Sequence, residues 1–169
     1  MQLIQKPFTF GIYTLPEHSK FKKSLLERLH GEAHNNVTLT DWHLPDSRCL
    51  DLIREPLENS TIRAFASLGY SVNFGKMWFQ QYKTNSQHEW HTHRGAHYSC
   101  IYYLELPPGT PFTEFKNMHN DETYSIPVQE GDILAAPAFL MHRSPQNTSE
   151  HRKTIIAFNI NLYVKTLVS

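Results

Sequence analysis

The chain has 169 residues, room for one domain with a real core and a squeeze for two. Its 16 basic and 16 acidic side chains cancel, so no electrostatic footprint marks nucleic acid or an anionic membrane as a partner. Hydrophobic residues at 40% and aromatics at 12% exclude a disordered chain. No apolar run reaches the length of a membrane span, and Met1 to Tyr13, with one lysine among alternating polar and apolar residues, is unlike a signal peptide. Cys49 and Cys100 could pair, but two cysteines make no disulfide framework. A reducing compartment is the simpler expectation, and with it a soluble, cytoplasmic protein.

In chain order, Phe8, Phe10 and Ile12 alternate with smaller or polar neighbours, the period of a half-buried strand. From Ser19 the period changes. Phe21, Leu25, Leu26 and Leu29 share a helical face that Gly31 ends. A second helical pattern runs through Leu50, Ile53, Leu57, Ile62, Phe65 and Leu68, with Pro56 expected to kink or split it. After Ser71 short strands follow near 71–83, 97–106, 111–116, 122–128, 132–136, 139–143 and 153–164. They are separated by turn residues such as Asn85-Ser86, Pro107-Pro108-Gly109 and Glu130-Gly131-Asp132. The expected architecture is mostly β in a single domain, 1–169: an N-terminal helical support layer, 1–70, backs an all-β sandwich or barrel, 71–169.

The chemistry gathers in one place. His88, His91, His93 and His97 fall within ten residues, with Asn85 and Gly95 at turn-like positions around them. In an extended strand, side chains two apart share a face, so His91-Thr92-His93 aims two imidazoles at one point, an arrangement that asks for a metal. His142, on a later strand, supplies a third candidate, and the cation Arg152 lies ten residues beyond it. Three protein ligands leave positions open, the mark of a catalytic site more than a structural one. Glu89 is the nearest carboxylate and a reserve ligand. With 11 histidines in the chain any single one is more often a hydrogen-bonded residue than a ligand, so His88 and His97 stay outside the ligand set. Arg152 has its own bland reading, a surface ion pair with Glu150. Tyr102, Tyr103 and Trp78 read as core packing, Asp132 as the cap of its turn, and Trp90 and Phe139 as open candidates for pocket walls.

Six further motifs keep the order and spacing of a known family: Trp78-Phe79-Gln80-Gln81-Tyr82, Ser99-Cys100-Ile101-Tyr102-Tyr103-Leu104, Glu130-Gly131-Asp132-Ile133-Leu134, Pro137 to His142, Arg152-Lys153-Thr154 and Phe158-Asn159-Ile160. With His91-Thr92-His93 they resemble the iron(II)/2-oxoglutarate-dependent dioxygenase superfamily, in particular its small branch of bacterial and phage 2-oxoglutarate oxygenases. The resemblance spans Tyr82 to Asn161 at its core. It implies a double-stranded β-helix, a cupin-like jelly roll with the metal at its mouth. It implies Fe(II) held by His91, His93 and His142, and 2-oxoglutarate as co-substrate with its far carboxylate on Arg152 and Thr154. It also brings Tyr82 to the co-substrate, and the reaction implied is hydroxylation of an unactivated C–H bond. His93 departs from the pattern, since most of the superfamily has a carboxylate there. The swap raises the charge of the metal site by one unit and removes the anion that normally holds iron(II).

Two other readings stay open: a cupin-type three-His metalloenzyme that needs no 2-oxoglutarate, and a non-catalytic jelly-roll binding or structural module. The substrate is unspecified among small molecules, protein side chains and modified bases. Exposed sheet edges are compatible with a homodimer.

Overall fold

A computed structural model describes residues 1–5, 8–44, 48–117 and 119–164. The chain enters through strands β1 (Gln2–Gln5) and β2 (Thr9–Thr14), then helix α1 (His18–Leu26), the hairpin β3 (Glu32–His34) and β4 (Val37–Thr40), and helix α2 (Asp51–Ala66). Eight more strands follow: β5 (Tyr70–Tyr82), β6 (His88–His91), β7 (Tyr98–Glu105), β8 (Glu114–Lys116), β9 (Thr123–Ser125), β10 (Asp132–Pro137), β11 (His142–Ser144) and β12 (Lys153–Val164). All pairings are antiparallel and fall into two sheets, a large one in the order β1-β2-β10-β7-β12-β5-β4-β3 and a small one in the order β6-β11-β8-β9.

The large sheet is buried on both faces at its centre, which is why β7, β10 and β12 read as near-continuous apolar runs rather than alternating ones. On one face Phe79, Cys100, Tyr102, Leu104, Ile156 and Phe158 pack with Leu25 of α1 and with Ile53, Leu57 and Phe65 of α2. On the other face Tyr82, Ile101, Tyr103, Leu134 and Ile155 meet Phe115 of the small sheet, so the two sheets close a jelly roll. The period-2 alternation thus assigns each residue of a central strand to the helix side or to the inner space.

Three sequence expectations change. The N-terminal layer is not purely helical: β1 and β2 extend one edge of the large sheet and β3–β4 the other. Strand β2 is the one the Phe8-Phe10-Ile12 alternation announced, whereas β1 and β3 are short and mostly exposed and offer no apolar period to read. Helix α2 is not split at Pro56, which lies inside one continuous helix; its buried face of Ile53, Leu57, Thr61 and Phe65 overrides the missing N–H. The strand expected at 139–143 begins only at His142, because Leu140 closes a turn on the Pro137 carbonyl.

The turn chemistry follows expectation. Asn85 and Gly95 both adopt left-handed backbone, at φ 70° and 81°, and the Asp132 carboxylate caps its turn by accepting from the Gln129 amide. Cys49 and Cys100 are both buried and are not joined in a disulfide. Among the described residues no helix is long and apolar enough to cross a membrane.

Candidate metal centre

Three of the candidate ligands converge. His91 ends β6 and pairs directly with His142 of β11, so the antiparallel register alone brings those two imidazoles side by side. His93 comes from beyond the strand, not from a continuation of it, and its amide donates to the Ala138 carbonyl in the turn before β11. The nearest ligand atoms of the three side chains all lie within 4.8 Å of one another.

The tautomers are prepared for a cation. Nδ1 of His91 lies 2.7 Å from the Glu89 carbonyl and Nδ1 of His142 lies 2.8 Å from the Leu140 carbonyl, contacts in which each Nδ1–H donates and each Nε2 lone pair is left inward. Nε2 of His93 sits 3.2 Å from Nε2 of His142, a hydrogen bond when His93 carries its proton there and a contact that a shared cation would replace. Two nitrogens each about 2.1 Å from one metal and at right angles stand roughly 3.0 Å apart, so the spacing suits adjacent positions on one ion. Burial, reinforced by the neighbouring imidazoles, pushes His142 down to about 3 and His93 down to about 4, and burial lowers His91 as well. All three are neutral near pH 7, the form that ligates.

His88 is excluded from this set but not from the site. Its ring lies 4.1 Å from that of His91, and Gln80 donates to its Nδ1 at 3.2 Å. His97 points elsewhere, its Nδ1 accepting the Leu162 amide. Glu89 is exposed and accepts from Gln87, and its backbone carbonyl rather than its carboxylate serves His91.

Below the imidazoles the inner space is lined by Gln80, Tyr82, Ile101, Thr113, Ser144 and Ile155. Arg152 and Thr154, the expected anchors for the co-substrate, share one carboxylate. Arg152 makes a bidentate pair with Glu105, Nε to Oε2 at 2.8 Å and Nη2 to Oε1 at 3.0 Å, and the Thr154 hydroxyl donates to the same carboxylate at 2.7 Å. Neither residue lines the inner space. Arg143, paired with Glu114 at 2.8 Å, is the cation in that lining; Lys153, 1% exposed, lies behind it on the inward face of β12, its ammonium donating to Ser144 Oγ of the lining at 2.6 Å and to the Pro111 carbonyl at 2.9 Å. It also lies 4.8 Å over the Tyr82 ring. Burial without a carboxylate partner pushes Lys153 down to about 7.

The inward parity of β12 is seen in the structure. Lys153, Ile155 and Ala157 alternate on one face of β12, and Ile155 and Ala157 line the inner space with the imidazoles. Tyr82 is buried in that lining, with its hydroxyl donating to Gln80 Oε1 at 2.9 Å. The side chains leave about 20 Å³ of free space among them, one water's worth, beside a larger cleft of about 190 Å³ at the imidazoles.

Fold and donor set together define a jelly roll with an open three-histidine cluster at its mouth. No protein-family model matches the chain, and no curated protein sequence matches it. Solved structures do match in fold. HygX from Streptomyces hygroscopicus, with nickel, 2-oxoglutarate and hygromycin B bound, superposes with a TM-score of 0.65 at 14% identity, over 90% of this chain and 82% of that one. An oxidoreductase of the 2OG-Fe(II) oxygenase family from Burkholderia pseudomallei gives 0.67 at 11% identity, over 89% and 84%. The viral collagen prolyl hydroxylase vCPH from Paramecium Bursaria Chlorella virus-1, as its 2OG complex, gives 0.55 at 12% identity, over 92% and 96%. The jelly-roll fold expected from the sequence is therefore found, and it is the fold these oxygenases use.

Proposed function

We propose that the protein is a non-haem Fe(II)/2-oxoglutarate-dependent dioxygenase. The observation that carries the reading is the convergence of three neutral imidazoles above a buried, carboxylate-free lysine, in a fold shared with structures that hold nickel and 2-oxoglutarate. His91, His93 and His142 would hold Fe(II), which supplies the redox chemistry of dioxygen activation when bound. Glu89 and Leu140 fix the two outer rings through their carbonyls, so the donor atoms need no reorientation when the metal arrives.

Lys153 takes the role that the sequence assigned to Arg152 and Thr154: its ammonium pairs with the far carboxylate of 2-oxoglutarate, with the Tyr82 ring beside it. A neutral third ligand in place of a carboxylate leaves more positive charge at the centre, which favours a dianionic co-substrate. The closed inner space has to part on binding, because about 20 Å³ does not hold a five-carbon dicarboxylate. That tightness, together with His93, also favours a second reading, a three-His enzyme that needs no keto acid. The substrate belongs to the class of small molecules or protein side chains.

Titrating 2-oxoglutarate anaerobically into the iron(II) protein separates the two. Chelation produces a metal-to-ligand charge-transfer band. Its absence with iron demonstrably bound would remove the 2-oxoglutarate reading in favour of the second. Iron-dependent succinate formation above a His91→Ala control is expected even without the substrate. Its absence, with the metal absent too and the fold intact, would move the protein to the non-catalytic class.

A further inference from the structure

Among the described residues, two polar atoms on the inner face of the large sheet have no partner. Ser99 is fully buried and its hydroxyl makes no hydrogen bond, and the same holds for the buried side-chain oxygen of Asn159. The two residues are direct cross-strand partners on β7 and β12, so their side chains leave the sheet on one face, with Cβ atoms roughly 4.5–5.5 Å apart. That face is the concave one. Ser99 lines the inner space with Trp78 and His93, on the side of the imidazoles away from Lys153, which sits six residues before Asn159 on the same strand. Buried polar groups left unpaired are unfavourable, and two adjacent ones beside a reacting centre are what a site awaiting a ligand presents.

The cleft that opens from there is lined by His34, Thr40, Trp42, Trp78, Gln80, Thr92 and the histidines near the metal position. None of these carries a fixed charge. The Lys76 ammonium lies 4.1 Å over the Trp42 ring and donates to the Trp42 carbonyl. Trp42 and Trp78 meet edge to face, centroids 4.5 Å apart at 72°, and form a rigid apolar corner. Asp41 pins that corner by accepting the Phe79 amide at 2.8 Å and the Cys49 thiol at 3.2 Å. At about 190 Å³ the cleft is below the range of drug-sized sites and admits one ring or one side chain.

We infer that the group presented to the metal is an uncharged ring or side chain bearing a hydroxyl or amide N–H. Its apolar body lies in the Trp42–Trp78 corner and its donor is received by Ser99 Oγ and Asn159 Oδ1. A charged group is disfavoured because nothing in the lining would neutralise it once water is excluded. The inference rests on the proposed oxygenase reading only in taking the three imidazoles as the reacting centre.

The test uses the indole N–H resonances of the three tryptophans, two of them in the cleft and the third, Trp90, under Arg143 outside it. The full chain is loaded with nickel, with and without 2-oxoglutarate. It is titrated with methyl β-D-glucopyranoside and N-acetyl-L-prolinamide as neutral probes, and with cyclohexanecarboxylate and cyclohexylammonium as charged ones. At least one neutral probe should shift Trp42 and Trp78 and leave Trp90 in place, and which one does so tells a hydroxyl from an amide. Ser99→Ala and Asn159→Leu should each weaken that probe by about fivefold or more. Because the hydroxyl of Ser99 is unpaired, Ser99→Ala should leave the melting temperature of the probe-free protein unchanged or raise it.

The inference is overturned if the charged probes act as strongly as the neutral ones, or if no neutral probe moves the two indoles. It is also overturned if Ser99→Ala lowers the melting temperature by more than about 3 °C, which would make the hydroxyl a structural group. Failure of 2-oxoglutarate to bind in the same samples strikes the proposed function instead and leaves the nickel-only result standing.

Discussion

Replacing Lys153 by methionine keeps the length of the side chain and removes its charge. A charge-assisted hydrogen bond in a site without water contributes about 1.5–3 kcal/mol, which at 1.4 kcal/mol per decade is roughly a 10- to 150-fold loss of 2-oxoglutarate affinity. Arg152→Ala should cost under about threefold, because that guanidinium is 38% exposed and already neutralised by Glu105. The pH dependence sharpens the contrast. In the free protein burial sets the Lys153 ammonium at about 7, whereas a bound carboxylate restores the charged form. Binding above pH 7 therefore takes up a proton, and affinity falls by up to about tenfold per unit as pH rises from there. Calorimetric titration of 2-oxoglutarate into the nickel protein at several pH values measures both effects. A tenfold or greater loss in Arg152→Ala, beside a Lys153→Met protein that binds within threefold of the unmodified chain, would return the anchor to Arg152 and refute the parity argument.

Four further outcomes are expected. His91→Ala and His142→Ala should abolish stoichiometric binding of iron(II) or nickel while His88→Ala retains it, read as metal per chain; equal metal in the unmodified and His142→Ala proteins would dismiss the ligand set. Metal-free protein should lose stability as pH falls below about 6.5. The folded state holds these imidazoles neutral while the unfolded chain takes up protons, so a flat acid limb in denaturant titrations would contradict the burial of His142 and His93. For Lys153, likewise depressed in the folded state, stability should rise between about pH 7 and pH 10, with a slope of at most about 1.4 kcal/mol per unit that Lys153→Met removes. Pro56→Ala should stabilise the protein by about 1 kcal/mol or more by restoring an amide to the interior of α2; a fall in melting temperature would mean that the proline relieves a bend in the packing on β5.

The long strands and the imidazoles were legible for different reasons. Apolar runs bounded by turn residues made β5, β7 and β12 readable, while His91, His93 and His142 stood out by their spacing and motif context on short elements. Strand β3 could not be read, because Glu32-Ala33-His34 has no apolar face of its own and becomes a strand only by pairing with β4, which in turn lies on the edge of β5. The choice between Arg152 and Lys153 turned on which parity of β12 faces inward. The apolar residues Ile155, Ile156, Ala157 and Phe158 hide that parity, since the strand is buried on both sides. Ser99 and Asn159 carried no signal at all. Their significance lies in what they fail to touch, and only coordinates reveal it.

The four strands of the small sheet are only three or four residues long, and two of the three imidazoles stand on its β6–β11 pair. Hairpins of that length hold together weakly by themselves. An ion bridging His91 and His142 would cross-link positions 51 residues apart in the chain and act as a rivet through the thinner wall of the molecule. Amide exchange in β6, β8 and β11 would then slow on metal loading far more than in β7 or β12, whose protection is already set by the double-sided core. The wall that carries the donors would in this way be the last part of the molecule to become rigid, and its rigidity would report whether the metal has arrived.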